Sequence, residues 1–207
     1  MPDFIKMGFI LMMVGAIATT VLAFTEQVTR EPIAEAKRQE ILKALRQVLP
    51  PGFDNDPDQD TIQLADKRLN RKEKPVTFYR ASKDGGDLGA AFVVTAPDGY
   101  SGNIEIMMAV TPDNVISGIQ VVSHAETPGL GDKAAFPPDP DSGKPPVWSE
   151  AFRGASLDKT KWGVKKDGGE FDQFAGATIT PRAIVNAVHR GLQFFVQSKD
   201  KIFTRSQ

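Results

Sequence analysis

The sequence predicts an α+β protein: a single N-terminal transmembrane helix, a juxtamembrane helix, and a small antiparallel-sheet domain closed by a C-terminal helix. Three observations carry that expectation. Met7 to Phe24 is an uncharged run of 18 residues. Between Val76 and Ser123 lie four short apolar or alternating runs separated by turn residues. From Pro181 to about Gln197, Ile184, Val185, Val188, Leu192, Phe195 and Val196 fall on one helical stripe.

Residues 1–6 are a short N-terminal tail and residues 7–24 the membrane helix. At the usual helical rise the run is about 27 Å long, close to a hydrocarbon thickness. A cleaved signal peptide is the rival reading, but Phe24, Thr25 and Glu26 occupy the exit, where a small-x-small cleavage site would stand. Charge does not orient the helix, because Lys6 opposes Asp3 on one side and Arg30, Lys37 and Arg38 alternate with acids on the other. Residues 25–52 form a helical stalk, with Pro32 at the start of its amphipathic stretch and Pro50-Pro51-Gly52 as its stop. Its interspersed acids and bases suit a solvated packing helix better than a lipid-binding one. Residues 53–75 read as an irregular connection with one short strand at Thr61 to Leu64.

Residues 76–207 form the domain. VTFYRA, GAAFVVTA, NIEIMMAV and VISGIQVVS are strands, divided by DGG, PDGYSG and TPDN turns. PPDPDSGKPP, residues 137–146, is a proline-rich surface loop, and WSEAFRG after it is a short helix. Thr180 before Pro181 supplies a cap for the last helix, because threonine accepts from free amides and proline suits a first helical position.

Composition excludes several chemistries. With 25 Lys plus Arg against 26 Asp plus Glu, there is no charge excess to attract nucleic acid. The absence of cysteine removes disulfides, thiolate metal sites and thiol nucleophiles. Two histidines, His124 and His189, are too few and too far apart for a zinc site, so no metal is expected. No nicotinamide fingerprint or nucleophile triad is present.

Thr178 is then left over, its hydroxyl held near a helix N-terminus, where free amides and the helix dipole favour a phosphate. Gly176 and Ala177 before it let another group approach the backbone. On spacing alone such a short motif is usually structural. HAETPGLGDKA, residues 124–134, follows the last strand with a tight, backbone-exposed turn able to wrap a planar or phosphorylated ligand. PDGYSGNIEI at 97–106 and KKDGGEFDQFAGATIT at 165–180 complete an ordered set.

That set, over nearly the whole chain, resembles the covalent FMN-binding domain family to which the G subunit of the Rnf electron-transport complex belongs, related to the C subunit of the sodium-pumping NADH:quinone reductase. The resemblance implies covalent FMN, its phosphate esterified to the last threonine of Asp-x-x-Ser/Thr-Gly-Ala-Thr by a separate flavin transferase using FAD and magnesium. The acceptor is then Thr178 and the motif acid Asp172. Ala175 stands where the family usually has Ser or Thr, which bears on transferase recognition or one flavin contact. Thr180 becomes a cap that also contacts phosphate, and His124, Glu126, Thr127, Leu130 and Gly131 match the loop lining the flavin. Lys165 and Lys166 precede a Gly168-Gly169 turn near it and are equally well read as solvated. His189, on the charged side of the last helix, reads as surface.

The implied function is an electron relay within an ion-translocating ferredoxin/NAD oxidoreductase, as one part of a translocase, with no catalytic residues of its own and the other proteins of the complex as partners. The implied location is a bacterial inner membrane, single-pass, with the domain on the periplasmic side. The quinone-reductase relative is the alternative, disfavoured because that relative is usually longer between anchor and flavin domain. A tethered binding or assembly module without cofactor would explain the anchor and sheet, though not the ordered motifs.

Overall fold

The computed structural model describes residues 2–135 and 147–205. The expected loop at 137–146 lies outside the described residues. The chain divides into two compact units, residues 1–42 and 43–207.

The first unit belongs to α1, Asp3–Val48. The membrane helix and the stalk, expected as two helices, run as one, with Pro32 inside it. Proline there has no N–H for the carbonyl of Val28, so the helix continues with one bond missing. Through the apolar run the side chains are exposed, Leu11 and Leu22 among them. Thr19 and Thr20 donate their hydroxyls to the Gly15 and Ala16 carbonyls, 2.8 Å each. A hydroxyl satisfied within its own helix suits a medium without water.

The second unit is a five-stranded antiparallel meander in the order β1-β2-β3-β4-β5: β1 Thr61–Leu64, β2 Val76–Lys83, β3 Gly86–Ala96, β4 Ile104–Val110 and β5 Ile116–Ser123. Register aligns Phe78 with Phe92, Phe92 with Met108, and Met108 with Ile119, so one face carries a continuous apolar band. The closing helix covers that band across β2, β3 and β4. It is α3, Ile179–Phe203, preceded by the short α2, Val147–Glu150. Phe78 stacks on Phe92 at 4.4 Å between ring centroids, and Phe92 on Phe195 at 6.0 Å. Each phenylalanine taken out of water here contributes roughly 2–3 kcal/mol. The helix approaches closely at Gly191, where a Cβ would stand 2.6 Å from Val94 Cγ1 and 2.8 Å from Met108 Sδ.

Ala81, Ala91, Met107 and Ala109, whose register puts them on the opposite face, are buried, as are Ala44, Leu45, Val48 and Leu49 at the end of α1. The Ser117 hydroxyl, at a bulge in β5, donates to the Val48 carbonyl at 2.6 Å and fixes that end to the domain. The connection before β2 is likewise tied down. Leu69 is fully buried, its carbonyl accepts from the Thr95 amide, and the Arg68 guanidinium lies 5.1 Å from the Phe194 ring centroid.

The helix expected to stop near Gln197 continues to Phe203. The reason is Arg80 of β2, which is 8% exposed and donates to the carbonyls of Ile202 and Thr204 at 3.3 and 3.2 Å, while Asp60 pairs with it at 2.5 Å. A buried cation at a helix C-terminus satisfies orphan carbonyls and complements the dipole.

Overpacking at the α3 crossing should be costly. Replacing Gly191 by valine is expected to lower domain stability by about 1–3 kcal/mol despite the better helix propensity. Urea unfolding of the domain checks this, and an unchanged midpoint would refute the close crossing.

Candidate functional site

The sequence motifs converge at the end of the sheet where the β3–β4 turn, the chain leaving β5 and the start of α3 meet. Two tight turns define its rim. In Thr127-Pro128-Gly129-Leu130 the Leu130 amide donates to the Thr127 carbonyl at 3.1 Å, and Gly129 has φ +80°. In Phe174-Ala175-Gly176-Ala177 the Ala177 amide donates to the Phe174 carbonyl at 3.1 Å, and Gly176 has φ +79°. Glycine at the third position of a turn supplies this left-handed conformation without steric cost. The turns face each other, since a Cβ on Gly176 would be 3.8 Å from Leu130 Cδ2.

Glu126 joins the pieces. It is 6% exposed, accepts the Ser101 amide at 3.0 Å through Oε1, and accepts the Thr180 hydroxyl through Oε2. Its own amide donates to His124 Nδ1 at 3.2 Å, while His124 and Thr127 remain exposed and Leu130 is 42% exposed. Gly131 is buried directly against the Glu126–Thr180 contact.

Thr180 is not the cap expected of it. The helix begins at Ile179, Thr178 occupies the N-cap position with φ −74° and ψ −28°, and Thr180 sits inside the first turn. Pro181 is tolerated there because the first four helical amides have no intrahelical acceptor. The Thr180 hydroxyl is turned to Glu126, a partner 54 residues away that no local pattern announces. Thr178 makes no side-chain capping bond, and its side chain is half-buried.

Asp172 is exposed and paired with Lys165 at 2.6 Å. Lys165–Asp167 is a single 3-10 turn, and Asp167 binds Arg182, one turn into α3, at 2.6 and 2.9 Å. The guanidinium of Arg182 holds the Asp167 carboxyl below its ordinary range, and that carboxylate in turn raises Arg182. Lys166 is solvated, with its amide bonded to Gln173. Among the described residues no His, Cys, Asp and Glu group is placed to hold a metal ion.

His189 departs from its surface reading. It is half-buried, stacked on Trp162 at 4.7 Å between centroids and 7° between planes. Trp162 in turn packs on Phe171, so the stack buttresses the segment leading to Asp172. Ser101 is the residue that sequence reasoning passed over, and only the buried carboxylate opposite its amide reveals it.

Comparison with known proteins adds two family models and close relatives. The model described as the FMN-binding domain matches residues 99–193, and that described as the RnfG N-terminal region matches residues 3–48. The ion-translocating oxidoreductase complex G subunit of Aliivibrio fischeri is 37% identical over 203 residues, 96% of this chain and 93% of that protein. Its counterpart in Cereibacter sphaeroides is 42% identical over 192 residues, 91% of this chain and 82% of its own length. The chain belongs to the RnfG family. That family's N-terminal region coincides with α1, and the FMN-binding domain takes in Ser101, Glu126, Leu130 and Thr178 together. A phosphate-bearing flavin fits the cluster: the helix N-terminus has no side-chain cap, the half-buried Thr178 before it makes no capping bond, and the exposed Gly129 and Gly176 keep backbone open at its rim.

Burial, and then the charge of Arg190, hold the His189 pKa below its ordinary value. The unfolded chain therefore binds more protons between that lowered pKa and about 6.5, so stability is lost as pH falls through this window. His189→Phe keeps a ring on Trp162 and removes the titration. Its melting temperature should gain on the native chain as pH drops below about 6.5, and a difference independent of pH would refute this account.

Proposed function

We propose that this chain is the membrane-anchored electron relay of an Rnf-type ion-translocating oxidoreductase, with FMN joined through its phosphate to Thr178 Oγ1. The observation that carries the reading is Thr178 itself: a threonine at a helix N-terminus, in Gly-Ala-Thr, whose hydroxyl is not spent on capping. Maturation uses FAD, magnesium and a separate flavin transferase. The Thr178 hydroxyl would accept the FMN moiety of FAD, with a P–O bond formed to its oxygen, the pyrophosphate P–O bond broken, AMP leaving and the hydroxyl proton passing to a base. The helix dipole and the first amides of α3 would favour the phosphodiester charge there. Gly176 and Ala177 leave the approach open, Asp172 marks the motif, and His124, Thr127 and Leu130 lie along the flavin's flank, while Gly131 is buried against the Glu126–Thr180 contact.

Ala175 sits in the exposed Phe174–Ala177 turn. A methyl group there removes one hydroxyl without altering the turn or the acceptor, so attachment persists. When bound, FMN supplies the electron chemistry, and the protein positions and tunes it. The helix between Met7 and Phe24 carries no ionisable side chain, and intramembrane ion paths are marked by such groups. Translocation therefore belongs to other proteins of the complex, and the chain alone does not oxidise NADH. Its domain lies on the periplasmic side.

Two outcomes check the reading. Thr178→Ala should abolish in-gel flavin fluorescence of the membrane-purified chain, while Thr180→Ala retains covalent flavin; persistence of flavin in the first variant would move the attachment site. Protease added to right-side-out spheroplasts should digest the domain, and complete protection there would overturn the assigned side.

A further inference from the structure

Glu126 and Arg80 are the two buried charged residues among those described. They sit at opposite ends of α3, the carboxylate at its N-terminal end and the guanidinium at its C-terminal end. Both Glu126 oxygens point into the protein: Oε1 toward the Ser101 amide and Oε2 toward the Thr180 hydroxyl. The 126–131 loop closes over that second bond, where a Cβ on Gly131 would collide with Oε2 and stand 2.7 Å from Thr180 Oγ1. With its oxygens so engaged, Glu126 is not oriented as a ligand for an external group.

A helix ordinarily finds its N-terminal counter-charge in the N-cap side chain, whose oxygen accepts from the second or third amide. Thr178 occupies that position and makes no such bond. The negative charge is supplied instead from across the fold, by a buried carboxylate held on Thr180. We propose that Glu126 is a positioning residue for flavin attachment, acting through Thr180. It stands at that end of the helix where a cap side chain would, bonded to the Thr180 hydroxyl rather than to a helix amide, and leaves Thr178 Oγ1 free to react. It also draws together the 97–103 turn, the 124–131 loop and the start of α3, bringing Leu130 against Gly176 and fixing the acceptor.

This inference rests on Thr178 as the FMN acceptor, and its test separates the two. The full-length chain, made without its transferase and purified in detergent, is incubated with transferase, FAD and magnesium, and the initial rate of covalent fluorescence is measured. Thr180→Ser keeps the hydroxyl and should flavinylate like the native chain. Thr180→Val and Glu126→Ala strand one buried partner of a charged hydrogen bond, and should slow the initial rate about tenfold or more without abolishing labelling. The transferase's KM for FAD should be unchanged in both. The double variant should be no slower than the slower single variant, because both remove one shared interaction. Glu126→Gln, which keeps the volume and one acceptor oxygen, covers the case in which Glu126→Ala does not fold, and its rate should fall between the native and alanine rates. Thermal unfolding of each unlabelled chain identifies the folded variants. Native rates in Thr180→Val and Glu126→Gln, or additive losses in the double variant, would overturn the role of Glu126. Failure of the native chain to acquire covalent FMN would instead overturn the reading of Thr178.

Discussion

The burial of one face of α3 against β2, β3 and β4 is the interaction on which the domain depends. Phe78, Phe92, Val94, Ile106 and Met108 form the sheet's side of that contact, and Ile184, Val188, Leu192 and Phe195 the helix's, all essentially without exposure. Dispersion and apolar burial fix how far the helix stands from the sheet, and the close crossing at Gly191 limits its sliding. Polar contacts tie its two ends. At one end Arg80 reaches the last carbonyls, and at the other Glu126 holds the first turn through Thr180. The signs agree with the macrodipole at both ends, so the two buried charges locate the helix and stabilise it together.

The proposed site inherits its geometry from that arrangement. Thr178 is placed by α3, the two facing turns by the chain leaving β5 and by the segment before α3, and Glu126 by its bond across to Thr180. The neighbouring ion pairs Lys165–Asp172 and Asp167–Arg182 are exposed, and exposed pairs contribute little to stability. Their effect is to order the approach to the motif. The Trp162–His189 stack performs the same service from the other flank through Phe171.

Elements that depend on local chemistry were legible in the sequence. The uncharged run, the four strands after Val76, the strand at Thr61 and the apolar stripe of α3 all follow from periodicity and turn residues. Features set by distant partners were not. The cap at Thr180 fails because a carboxylate from the 124–131 loop claims its hydroxyl, and the end at Gln197 fails because Arg80 extends the helix. Pro32 suggested a boundary, yet α1 passes through it, since a single missing amide costs less than a break between two otherwise favourable helical stretches. Within the site, the Gly-Ala-Thr motif was conspicuous, while the partner of Ser101 and the stacking of His189 are products of tertiary contact alone.

The unit that folds and the unit that the FMN-binding family model matches are different lengths of chain. The match begins at Gly99, between β3 and β4, and ends at Gln193, inside α3. A fragment cut at those limits would keep Thr178 and Glu126 but lose Phe78 and Phe92, apolar partners of α3, Phe195 of α3 itself, and Arg80, which satisfies its last carbonyls. A fragment beginning near residue 53 would also lose Ala44, Leu45, Val48 and Leu49, and with them the Val48 carbonyl that accepts from Ser117 on β5. A soluble form of this protein must therefore start no later than Lys43 and carry the last turns of its own anchor helix as part of its core.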